Sequence, residues 1–165
     1  MSRFMCVIGG ICIAFLLGCA AEKIDLAVEK KAVAQAIDDF WRAFETKNFD
    51  SLCELFAHDS DMVIFGTDER ERWAGWESCK EAILKQFEAF SNIKIRTQNL
   101  VIHVAPSGDV AWFSMQRFIA ITPKNSDEKE MKTRVTGVWE KREGKWKLVQ
   151  YHSSYPFTNW ELFRY

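Results

Sequence analysis

The chain lacks any two cysteines separated by two residues and any cluster of histidine and cysteine at metal-ligand spacing, so nothing in it supports a structural zinc site. It also lacks a basic stripe: 22 Lys and Arg stand against 23 Asp and Glu, a net charge of −1, which argues against nucleic acid as a partner. Internal repeats and low-complexity tracts are missing, which leaves a single globular domain as the expectation. Its longest apolar run, Phe4 to Leu17, is too short to cross a bilayer as a permanent helix. What is present is a rich supply of core material. Aromatic residues make up 14% of the chain, enough to build a core without staples.

The apolar run follows Arg3 and has the pattern of a signal peptide, residues 1–18. It ends in Leu16-Leu17-Gly18-Cys19, which resembles the lipobox of bacterial lipoproteins, where the chain is cut before the cysteine and the thiol is acylated. The expectation is a lipidated Cys19, a tether over 19–27 and a folded domain over 28–165, held at a bacterial membrane on the extracytoplasmic side, periplasmic in a Gram-negative cell. Of the five cysteines, Cys6 and Cys12 leave with the signal and Cys19 carries lipid. Cys53 and Cys79 remain. Two readings stand for them: one disulfide, or two small buried apolar residues.

Along the domain, Val33, Ile37, Phe40, Trp41 and Phe44 fall on one face of a helix over Glu29–Thr46. Asn48-Phe49-Asp50 breaks it, and Asp50 or Ser51 can cap a short second helix through Leu52, Leu55 and Phe56. Met62–Phe65 reads as a strand followed by a polar loop, and Trp76–Phe90 as a third helix. Strands follow over Ile93–Ala105 and Val110–Thr122, then two alternating segments joined at Glu143-Gly144, a hairpin signal. Helices first and an antiparallel meander after them is an α+β order.

That order, with Gly66-Thr67-Asp68, Trp73-Ala74-Gly75, Asp109-Val110-Ala111-Trp112-Phe113 and the ending Trp146-Lys147-Leu148-Val149-Gln150-Tyr151-His152-Ser153-Ser154, resembles the SnoaL-like branch of the nuclear transport factor 2-like superfamily. The last hundred residues are also similar to the association domain of calcium/calmodulin-dependent protein kinase II. The resemblance implies a cone: three N-terminal helices packed on a curved antiparallel sheet, with a pocket between the concave face and helix one. It also implies homodimers through the outer sheet face.

Parity and the resemblance together nominate the pocket. If the last strand turns Leu148, Gln150, His152 and Ser154 inward, its neighbour offers Arg134, Thr136 and Val138. Phe113, Met115 and Arg117 share a face of the strand before, and Arg117 matches an arginine lining the pocket of the kinase association domain. Trp41 from helix one, Phe65 and Trp76 complete the candidate ligand-binding set of Trp41, Phe65, Trp76, Met115, Arg117, Arg134, Thr136, His152 and Ser154. Two arginines and a histidine in an apolar cone suit a small anionic ligand, with no cofactor implied. A plainer reading places Arg117 and Arg134 on the sheet surface beside Glu130 or Glu140, and makes His152 a hydrogen-bonded core residue.

Three functions fit. One is an anchored module that binds a small anion. Another is an isomerase or cyclase acting next to a carbonyl, with His152 as base and Asp38 or Asp39 as reserve carboxylates. The third is a homo-oligomeric assembly module.

Overall fold

A computed structural model describes residues 24–156. The signal segment, Cys19 and residues 157–165 lie outside the described residues. Helix α1, Leu26–Glu45, starts three residues before the apolar spacing predicts, because the Asp25 carboxylate accepts from the Ala27 and Val28 amides at 2.9 and 3.3 Å and caps the first turn. It buries Val33, Ile37, Phe40 and Trp41 along one stripe. Lys47, at φ 52°, turns the chain out of the helix and donates from Nζ to the carbonyls of Phe87 and Phe90. Helix α2, Phe49–Cys53, is capped by Asn48, whose side chain accepts from the Ser51 amide, and not by Asp50 or Ser51.

Strand β1, Val63–Phe65, pairs with β2, Arg72–Ala74, which occupies part of the expected polar loop. Helix α3, Trp76–Ala89, passes directly into β3, Phe90–Val104. Then come β4, Val110–Pro123, β5, Lys129–Arg142, and β6, Lys145–Ser154. The six strands form one mixed sheet in the order β2-β1-β6-β5-β4-β3, antiparallel except where β1 runs parallel to β6. At the β5–β6 turn, Glu143 and Gly144 both have positive φ, the backbone that a two-residue hairpin needs to match strand twist.

The sheet curls. Helix α1 touches both β3, at one edge, and β6, three strands away, so the sheet wraps round it. Two irregularities assist: a register shift between Gln98 and Val101, with Asn99 at φ 55°, and a bulge on β6 where Val138 pairs with Gln150 but Trp139 with Leu148. Gly137 lies beside that bulge, and a Cβ there would meet Phe113 Cε1 at 2.6 Å and the Gln150 carbonyl at 2.8 Å. The core between helix and sheet is aromatic: Phe40 meets Trp41, Phe56 and Trp139 edge to face. Cys53 and Cys79 are free thiols, and burial pushes that of Cys79 up to about 11. Among the described residues no helix is long and apolar enough to cross a membrane.

Candidate functional site

A cavity of about 280 Å³ opens between α1, α3 and the concave sheet face, its walls built from Phe40, Trp41, Phe44, Trp73, Ile83 and Tyr151 among others. Its polar end is Arg117. The side chain sits on the inward face of β4, 9% exposed, and reaches across two neighbouring strands. Nε donates to Thr133 Oγ1 on β5 at 3.1 Å, Nη1 to the Tyr151 hydroxyl on β6 at 3.1 Å, and Nη2 to Ser153 Oγ at 3.2 Å. Trp41 lies with its ring centroid 5.2 Å from the guanidinium carbon. Every acceptor is neutral. Among the described residues no carboxylate pairs with Arg117, and two of its five N–H groups are left over. Burial pushes the Tyr151 phenol above its ordinary value, and the Arg117 charge pulls the other way.

The structure divides the nine nominated residues. Trp41 and Arg117 line the cavity together. Met115 shares the inward face of β4 and is buried in the core. Trp76 is buried outside the cavity lining, stacked 4.2 Å from His58 and tilted against Phe56 at 5.3 Å, while Trp73 faces the cavity.

Arg134, Thr136, His152 and Ser154 are on the other side of the sheet. Strand β5 turns Thr133, Val135 and Trp139 inward, so Arg134 and Thr136 are exposed. On β6, Trp146 and Leu148 point in, the bulge at Val149 shifts the alternation by one, and Tyr151 and Ser153 point in after it. His152 is therefore exposed and meets Phe65, itself 41% exposed, on the outer face at 6.0 Å. The same bulge explains why Tyr151 and Ser153 escape a reading by strict parity. Asp38 is exposed, and Asp39 bonds Gln35 and Arg42 along the helix.

Glu71, in what the sequence marks as a polar loop after Phe65, forms part of the cavity wall. Its Oε2 accepts from the Thr67 amide at 2.6 Å, the Asp68 amide at 3.1 Å and, more weakly, the Thr67 hydroxyl at 3.4 Å. The carboxylate packs against Gly66, which leaves no room there for a side chain. No linear signal marks it, because the loop's own amides aim it.

A helix-filled, curled sheet with an aromatic cavity is the α+β cone of the nuclear transport factor 2-like fold. The profile of the SnoaL-like domain matches residues 33–158, and the chain belongs to that family. Solved structures agree. A nuclear transport factor 2-like superfamily protein from Salmonella enterica serovar Typhimurium superposes with a TM-score of 0.73 at 18% identity, covering 82% of this chain and 96% of its own. A proposed dehydratase of the same superfamily from Streptomyces avermitilis gives 0.72 at 16% identity, with 80% and 99% covered. A proposed calcium/calmodulin dependent protein kinase II association domain from Xanthomonas campestris gives 0.65 at 26% identity, with 75% and 85% covered. None of the curated proteins matches the chain.

Proposed function

We propose that this chain is a membrane-anchored, extracytoplasmic SnoaL-like domain that binds a small anionic ligand in its cone, with Arg117 as the anchor. The supporting observation is the state of Arg117: a buried cation whose hydrogen-bond acceptors, among the described residues, are three neutral hydroxyls. A buried charge with no carboxylate bonded to it is costly, and an anion entering the cavity offsets that cost with charge-assisted bonds to the two uncommitted N–H groups. The aromatic walls supply the apolar contact that a ring or short chain behind the anionic group requires.

Calorimetry with small aromatic acids tests this. Saturable binding is expected in the wild type and loss of at least tenfold in affinity in Arg117→Met; equal affinities in the two proteins overturn the reading. The isomerase or cyclase reading loses its proposed base, since His152 is on the outer face, and its reserve carboxylates do not reach the cavity. Anchoring rests on Leu16-Leu17-Gly18-Cys19, and several acyl chains would hold the domain at the bilayer. Mass spectrometry of the mature N-terminus checks it: a lipidated Cys19 is expected, and an unmodified one removes the anchor. Homodimerisation through the outer sheet face completes the proposal.

A further inference from the structure

We propose that Glu71 is a second ligand contact, and that the ligand's head carries a hydrogen-bond donor on the carbon next to its carboxylate, as an α-hydroxy or α-amino acid does. The inference rests on the anionic-ligand reading of Arg117 and adds the group of opposite charge. Glu71 presents a fixed acceptor. Two backbone amides and a hydroxyl hold Oε2, while Oε1 has no protein partner among the described residues. A carboxylate oriented by its own loop keeps its free oxygen in place, which is what a recognition contact needs.

Its position relative to Arg117 follows from the register. Glu71 packs on Gly66, the residue after Phe65, and Phe65 pairs with His152 on β6. Continued by one residue, that register brings Gly66 level with Ser153, whose hydroxyl accepts from Arg117 Nη2 at 3.2 Å, and Glu71, Ser153 and Arg117 all line the cavity. Adjacent strands are about 4.8 Å apart, so carboxylate and guanidinium flank the same stretch of β6. Tyr151, on that stretch, feels both: Arg117 pulls its phenol down and Glu71 pushes it up. Yet among the described residues the two form no ion pair, and both line one cavity.

Opposite charges that line one cavity without bonding each other leave room for a group that accepts from one and donates to the other. A bare carboxylate satisfies Arg117 but sets its lone pairs against Glu71 Oε1. A carboxylate with a hydroxyl or ammonium on the next carbon satisfies both. The aromatic walls favour an aryl body behind that head.

The test uses four probes of one length and one ring: 3-phenylpropionate, 3-phenyllactate, the O-methyl ether of 3-phenyllactate, and phenylalanine. Calorimetry on the full mature chain is expected to show one donor-bearing acid, 3-phenyllactate or phenylalanine, binding at least tenfold tighter than both 3-phenylpropionate and the ether, as a bond to a charged acceptor implies. Which of the two wins identifies the donor as hydroxyl or ammonium. In Glu71→Gln the four probes should fall within about threefold of one another. If Glu71→Gln does not fold, Glu71→Asp takes its place, and a donor-acid advantage undiminished in the folded variant takes the contact away from Glu71. Binding of 3-phenylpropionate as tight as that of both donor acids overturns this inference and leaves the role of Arg117 standing. No binding by any of the four overturns both.

Discussion

At the scale of single residues, Arg117 carries a conflict between stability and use. Replacing Arg117 by an apolar side chain of similar volume removes the cost of burying an unpaired cation, which offsets the cost of leaving three hydroxyls without that partner. Arg117→Met should therefore leave the ligand-free thermal midpoint unchanged or raise it by a few degrees, while ligand binding is lost. Calorimetric unfolding of both proteins without ligand checks this. A destabilisation of more than about 3 kcal/mol would instead make the arginine a structural strut. Arg117 and Trp41 were visible in sequence because each sits in a regular alternation or helical stripe. Tyr151 and Ser153 were hidden, since their inward direction depends on one extra residue upstream.

At the scale of elements, the Val149 bulge separates what could be read from what could not. The turn at Glu143-Gly144, the helix stripes and the strand sequence β3 to β6 follow from local chemistry, and the structure places them within a few residues of their expected bounds. The sides of the last two strands do not, because parity is global along a strand and a single inserted residue exchanges the faces beyond it. Curvature is forced where Gly137 lets Phe113 and the Gln150 carbonyl approach the backbone, and this has a measurable cost. Gly137→Ala must push a Cβ into contacts of 2.6 and 2.8 Å, and chemical denaturation should show a loss of about 1–3 kcal/mol, the range of overpacking. An unaltered midpoint would mean that the sheet relaxes freely there. The end of β5 is tied down differently. Arg142 donates from Nη1 and Nη2 to the two Asp59 oxygens at 2.7 and 2.6 Å, and also to Glu140. These hydrogen bonds hold the Asp59 carboxyl below its ordinary value, about 3.9. A carboxylate whose pKa is lower folded than unfolded adds stability above the unfolded value and loses it as pH falls through the folded one. With both partners partly exposed, screening limits the pair to about 1 kcal/mol. Arg142→Met should thus be less stable than wild type by that amount at pH 7, and the gap should narrow at an acidic pH below the ordinary carboxyl value. Urea titrations at the two pH values decide it, and a gap independent of pH would assign the loss to packing.

At the scale of the whole molecule, the cone turns its two faces to different tasks. The concave face is spent on α1 and the cavity, whereas the outer face keeps a side-chain layer that no part of the described chain covers. Trp112 is 47% exposed there, with His103 stacked against it at 5.5 Å and 17°. Serine, threonine, glutamine and histidine side chains at Ser114, Thr136, Gln150 and His152 surround an aromatic centre with few charges, the composition of an interface core more than of a solvated sheet. Pairing two such faces across a two-fold axis would be self-complementary, and four long strands offer the roughly 800 Å² per partner that a stable contact needs. Sedimentation of the soluble domain should give a dimer at micromolar concentration, and Trp112→Glu should give a monomer with an unchanged far-ultraviolet spectrum, because a desolvated charge at the centre of an interface costs several kcal/mol. A monomeric wild type, or a dimer untouched by the substitution, would remove the outer face as the contact. The outcome also bears on the cavity, which belongs to the concave side: ligand affinity should be the same in the monomeric variant as in the dimer, since Arg117, Glu71 and Tyr151 come from one chain.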